Sequence, residues 1–316
     1  MDWYIWAGFI AFILLMLGID LGIVQRKAHV VPFREAVMWT GVWVTLALTF
    51  GVITWVWRGS AVAQQYIAGY LIEWSLSVDN VFVWILIFSH FAVPREYQHR
   101  VLFWGVLGAI VLRLIFILGG TALLNRFEWV IYVFGALLLV TAYRFLVRKE
   151  QETSVEESAV LRLVRRFVPL TEGYEGQQLI VKRGGRRVAT PLFAVLVMVE
   201  ATDVVFAVDS IPAIFAITRD AFVVFSSNAL AILGLRSLYF VLAGAVTRFR
   251  YLRPSLGVLL LFVGGKMLLS DVVHISTQVS LAVIVAILGT GVVASWLRPG
   301  HEELERRRRK RAGELA

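Results

Sequence analysis

Two stretches of this chain place acids where everything around them avoids water. Residues 72–82 read IEWSLSVDNVF and carry Glu73, Asp79 and Asn80. Residues 198–215 read MVEATDVVFAVDSIPAIF and carry Glu200, Asp203 and Asp209, while Asp20 lies near the end of a third apolar run. Carboxylates, an amide and hydroxyls are oxygen ligands, and oxygen-only sites suit hard cations such as Mg2+, Ca2+ and Mn2+. Soft Cu+ is disfavoured; Zn2+ stays open, because the affinity order favours it at almost any site. There is no Cys, which removes disulfides and thiolate metal sites. His29, His90, His99, His274 and His301 fall in loops or near the ends of apolar runs.

The elements that must position these acids are membrane helices. The chain is 59% hydrophobic and 17% charged, with a mean hydropathy of +0.76, whereas a soluble domain is nearer half apolar and a quarter charged. Many windows of about 19 residues are almost free of charge, the mark of a transmembrane helix. A β-barrel would need short alternating segments, and the sequence has none. The expected fold is all-α and polytopic, with about nine spans at roughly 3–24, 36–57, 63–89, 101–124, 128–147, 190–213, 221–247, 255–270 and 278–297. Trp3, Trp6, Trp39, Trp55, Trp57 and Trp129 fall near span ends, as interfacial aromatics do.

The net charge of +9 does not point to nucleic acid, because the basic residues gather in loops and in the tail RRRRKR at 306–311. With the N-terminus outside, the inner loops hold about 24 Lys and Arg against 3 outside, namely Arg58, Arg126 and Arg219. This predicts a cytoplasmic C-terminus in a multi-pass protein of the cell's inner membrane. No basic region precedes the first apolar run, so no cleaved signal peptide is expected. The charged segment 148–189 reads as a solvated cytoplasmic loop, with a short interfacial helix at VLRLVRRF, residues 160–167.

An internal repeat organises the rest. Asp79, Val81, Phe82, Phe91, Ala92, Arg95 and Glu96 align without a gap on Asp203, Val205, Phe206, Phe215, Ala216, Arg219 and Asp220. One register slip later, Arg113 aligns with Arg236. The two units are offset by an odd number of spans, so they run in opposite directions through the membrane. Such inverted repeats place a substrate at their interface near the midplane. The expected organisation is a helix pair over 1–60, a first three-helix unit over 61–147, the loop 148–189, a second, inverted three-helix unit over 190–270, and a last helix with a basic tail over 271–316.

A charge at bilayer depth costs roughly 2.5–3.5 kcal/mol on insertion scales. Arg113 and Arg236 read as counter-ions, while Arg144 and Lys266 lie nearer span ends and can snorkel. Pairing the two central arginines with two of the six acids leaves about four carboxylates that must be protonated, face water or hold a cation. Ser75, Ser77, Thr202, Ser210 and Asn228 offer hydrogen bonds that would instead satisfy them internally. With a rise of ~1.5 Å per residue, Glu73 and Asp209 lie about 9 Å outward of Asp79 and Asp203. Glu200 and then Asp20 lie inward. Pro212 is expected to break its helix near Asp209.

At these stretches the sequence resembles the TerC/Alx family of integral membrane proteins. The residues that carry the resemblance are DLGIVQRKAHVV (20–31), GYLIEWSLSVDNVFVW (69–84), PREYQHRVLFWGVLGA (94–109), VEATDVVFAVDSIPAIFAITRD (199–220) and SNALAILGLRSLYF (227–240). The resemblance implies export of divalent metal, chiefly Mn2+, within a LysE-type transporter superfamily, with Glu73, Asp79, Asn80, Glu200, Asp203, Asp209 and Asp20 as the acidic membrane motifs. It also implies links to metal supply for exported enzymes and to tellurite resistance. A tellurite oxyanion would meet Arg or helix N-termini, not a cluster of carboxylates.

Exporting two positive charges against an inside-negative potential costs about 4.6 kcal/mol per 100 mV, twice the single-charge figure. No nucleotide motif is present to supply it and no cofactor is expected, so inward protons are the natural source. The expected protein is a Mn2+/H+ exchanger rather than an enzyme. Its central site would be Asp79, Asp203, Glu200 and Asn80, with Glu73 and Asp209 passing the ion outward. Rival readings are a membrane partner that loads exported enzymes without transport, and an amino-acid exporter, which the acid-rich lining disfavours.

Overall fold

The computed structural model describes residues 3–22, 31–147, 162, 169–171, 173–183, 186–243, 251–273 and 275–297. The apolar runs fold as helices: α1 (Trp3–Gly22), α2 (Phe33–Arg58), α3 (Ser60–His90), α4 (Arg95–Arg126), α5 (Val130–Val147), α6 (Pro191–Phe215), α7 (Ala221–Leu233), α8 (Leu235–Ala243), α9 (Leu252–Leu268) and α10 (Thr277–Leu297). In lipid, a helix is the one open segment that satisfies its own backbone. Among the described residues, seven helices are long and apolar enough to cross a membrane, and α7 with α8 forms an eighth that bends by 40°. The remaining expected span, 255–270, is the 17-residue α9. Its length of about 26 Å at ~1.5 Å per residue is slightly less than a bilayer's apolar core.

The faces turned away from the bundle carry exposed Leu14, Leu15, Val52, Val56, Ile115, Val133, Val140, Val205 and Val285. Such a belt is what lipid tails solvate. Trp3, Trp55, Trp57 and Trp129 are exposed near helix ends. Gly59, at φ 88°, makes the turn between α2 and α3, where a side chain would be strained.

The long α3 is the central post. It packs against α2, α6, α7, α8 and α10, and buries Tyr66, Ile72, Trp84, Ile87 and Phe88. α5 and α9, which stand third in the two stretches that align in sequence, form a tight pair of their own. A Cβ added at Gly264 would meet the Gly135 carbonyl at 2.9 Å, so the backbones touch there, the close approach that small residues allow between membrane helices. Glu96 and Asp220, aligned in sequence, each stand at the start of a helix. Glu96 lies in the first turn of α4. Asp220 caps α7, accepting from the amides of Phe222 (3.0 Å) and Val223 (3.3 Å) while paired with Arg58 at 2.7 Å.

Two expectations are corrected. α6 stays helical through Pro212, which lies only one turn from the helix end and so disturbs few backbone bonds. The break falls instead at Gly234, between α7 and α8. The segment read as a plain loop contains an antiparallel hairpin, β1 (Ile180–Arg183) on β2 (Arg186–Ala189), in the register Ile180↔Ala189 and Arg183↔Arg186. Of the expected interfacial helix at 160–167 only Arg162 lies among the described residues, and the tail 306–311 lies outside them.

Candidate functional site

The buried centre of the bundle is organised by Arg113, which projects from the middle of α4 and is 1% exposed. Its guanidinium touches three other helices. From α3 comes Glu73, in direct ion contact. From α6 come Asp203, at 3.0 Å from Nη2 and 3.5 Å from Nε, and the Ser210 hydroxyl at 3.1 Å. From α7 comes Asn228, whose Oδ1 accepts from Nη1 at 2.6 Å. Asn228 also donates from Nδ2 to Glu73 Oε2 at 3.1 Å, and Ser77 donates to Glu73 Oε1 at 3.3 Å. A fork with five donors suits this role, because one planar group can meet acids from two helices at once.

Beside this cluster lies a small cavity lined by Glu73, Leu76, Asp79 and Asn80 of α3, Arg113 of α4, Phe145 of α5, Phe206, Asp209 and Ser210 of α6, and Leu260 of α9. The space open to the centre of a water-sized sphere is about 10 Å3, close to the minimum that holds one water. Helical spacing brings the lining together: Glu73, Leu76 and Asn80 share one face of α3, and Phe206, Asp209 and Ser210 share one face of α6. Asn80 is 1% exposed, and its Oδ1 has no hydrogen-bond partner. Asp209, partly exposed, accepts from the Thr141 hydroxyl of α5 at 2.7 Å.

The other acids stand apart from this cavity. Glu200 lies over Gly108 of α4, where a Cβ would come within 2.0 Å of its carboxylate. Its Oε2 is buried without a partner. Asp20 of α1 pairs with Arg236 of α8, and both are buried. Asp203 is not part of the lining but pairs with Arg113, which is. Among the described residues no three His, Asp or Glu side chains converge closely enough to ligate one ion by themselves. The structure therefore groups Glu73, Asp79, Asn80 and Asp209, with Arg113, and separates Glu200 and Asp20 from them.

These acidic motifs place the chain among known proteins. Residues 58–302 match the model of the TerC integral membrane protein family. This chain belongs to the TerC family. It is 52% identical over 297 residues to "Uncharacterized membrane protein STKORF319" of Myxococcus xanthus, covering 94% of this chain and 93% of that one. It is 45% identical over 309 residues to "Putative membrane-bound redox modulator Alx" of Escherichia coli K12, covering 95% and 96%. A Rickettsia felis membrane protein is 40% identical over 293 residues, covering 93% and 97%. No solved structure matches the chain.

Several residues of this TerC site carry no charge and escaped sequence reading. Thr141 and Phe145 reach Asp209 and the cavity from α5, and Leu260 closes it from α9. The one available signal was Thr141, a hydroxyl in an apolar run. Of the hydroxyls considered as internal partners, Ser77 and Ser210 join the buried cluster. Ser75 and Thr202 bond carbonyls of their own helices, Leu71 at 2.6 Å and Val199 at 2.8 Å. A second, larger cavity of about 610 Å3 lies where α2, α3, α4 and α8 meet, with Phe88, Arg95, Gln98 and Tyr239 in its wall.

Proposed function

We propose that this protein is a secondary transporter, not an enzyme, which exports a hard divalent cation, Mn2+ above all, in exchange for protons. The observation that carries the reading is the Asn80 carbonyl oxygen. It is buried without a partner in the wall of a cavity that also holds Asp79, Asp209 and Glu73. A buried acceptor left unmade costs roughly 1–3 kcal/mol, and a bound cation would offset that cost. In this reading Asp79, Asp209 and Asn80 ligate the ion, and water completes the shell. Small hard cations keep several waters and need only one or two carboxylates, so the site does not require three acids to converge.

The cavity has room for about one water, so a hydrated ion enters only when the walls part. Phe145 of α5 and Leu260 of α9 form the wall opposite α3. These two helices are packed tightly on each other through Gly135 and Gly264, which favours their moving as one body. The bias of Lys and Arg toward alternate loops, about 24 against 3, supports an outer N-terminus and a cytoplasmic C-terminus in the inner membrane. The redox role in the relatives' name finds no thiol–disulfide couple here, since the chain has no Cys. The acids instead offer groups that can carry either protons or metal.

The test is radioactive 54Mn2+ flux into proteoliposomes, for the parent and for Asp79→Asn and Asp209→Asn. Uptake is expected to follow the pH gradient, to stop when an ionophore dissipates it, and to fall by about tenfold or more in each variant, the loss of a charged ligand being worth at least ~1.4 kcal/mol. Parent-like binding and transport in both variants sinks the site assignment. Binding without flux favours a membrane partner that supplies metal to exported enzymes.

A further inference from the structure

We infer that Arg113 is a tethered cation that competes with the transported ion for Glu73, so that the unloaded site carries its own positive charge. The inference rests on the transport reading above. Glu73 both lines the cavity and contacts the Arg113 guanidinium. An ion in the cavity and the guanidinium therefore claim the same oxygens. The arginine has somewhere to go. Asp203 and Ser210, both on α6, hold its Nε, Nη2 and Nη1, so it can stay anchored there while Glu73 turns to the ion.

Glu73 does not depend on Arg113 for its place. Ser77 donates to its Oε1 and the Asn228 amide to its Oε2. The carboxylate thus stays oriented when the guanidinium withdraws. Asn228 touches both partners, accepting from Arg113 at 2.6 Å and donating to Glu73 at 3.1 Å. It acts as the hinge between the two arrangements. With Arg113 in place, Glu73 and Asp203 together carry a net charge of −1 rather than −2. A smaller net charge lowers the cost of moving the unloaded site through the low-dielectric interior. The competitor keeps metal affinity moderate and favours exchange over retention.

A merely structural arginine makes the opposite prediction. Removing it would loosen the site and weaken metal binding, whereas removing a competitor tightens binding. The measurement is Mn2+ titration calorimetry on purified full-length protein in detergent, for the parent, Arg113→Gln, Arg113→Lys and the double variant Arg113→Gln/Asp203→Asn. The double variant keeps the cluster's net charge at −1 and leaves no unpaired acid behind Glu73, so it serves where the single variant fails to fold. Expected is Mn2+ binding about tenfold or more tighter in Arg113→Gln and in the double variant, because in both the cation that competes for the Glu73 oxygens is gone. Arg113→Lys, which keeps the charge but loses the fork, is expected to fall between the parent and Arg113→Gln. Exchange in proteoliposomes should fall in both Gln variants, since the ion leaves slowly. Affinity in the double variant equal to or weaker than the parent overturns the inference and leaves the transport reading standing. No Mn2+ binding by the parent takes both down.

Discussion

Arg113 in α4 bonds Glu73, Asp203, Ser210 and Asn228, while Arg236 in α8, with which it aligns in sequence, bonds Asp20 of α1 and keeps a buried Nη1 without a partner. Both are buried, at 1% and 6% exposure. Their local sequences match, LRL against LRS, and their surroundings do not. α4 packs on α6 and α7, and Arg113 meets acids from α3 and α6. α8 begins after the 40° bend at Gly234, and its arginine meets an acid from α1. Two residues related by sequence thus serve a four-helix junction in one place and a two-helix tie in the other.

If that contrast is right, the two arginines should differ sharply on removal. The largest effect belongs to Arg113→Met, which strands two buried carboxylates and should cost about 3–5 kcal/mol, the range for breaking a buried pair from one side. The readout is a fall in the unfolding midpoint in detergent and a poor yield of monodisperse protein. Next comes Asn228→Ala, which removes one partner each from Arg113 and Glu73 and should cost roughly 1–3 kcal/mol as buried polar atoms lose their bonds. The smallest effect should come from the double change Asp20→Leu/Arg236→Met. It removes the two-helix tie whole, and replacing a buried pair by apolar groups is often neutral or stabilising by about 1–4 kcal/mol. An Asp20→Leu/Arg236→Met protein destabilised as much as Arg113→Met would show that the tie at α1 carries the fold as heavily as the junction at α4.

Much of the fold was legible because the signals are local. Each apolar run declares a helix from its own composition, and among the described residues each of the nine expected stretches contains helix, seven or eight of them long and apolar enough to span. The hairpin at 180–189 was missed although IVKR and RRVA flank Gly184–Gly185, a two-residue turn sequence that favours tight hairpins. Its basic charge drew the reading toward a solvated loop. Pro212 looked like a break and is not one, because a proline near a helix end removes little. Gly234 looked unremarkable in sequence and ends α7. In the site, the acids announced themselves by their cost in lipid, but their grouping did not. Asp209 meets Thr141 across 68 residues, and Arg113 meets Asp203 across 90.

Composition, hydropathy and the placement of charge were enough to establish a polytopic helical membrane protein and to single out the acids sunk within it. Those properties depend on each residue's own transfer energy between water and lipid, which can be read one position at a time. Which acids Arg113 neutralises, which line the cavity with Asn80, and which stand apart at Gly108 or on α1 follow from how the helices face one another. Contacts between distant segments arise from packing many weak apolar surfaces together, and no local stretch of chain encodes that sum.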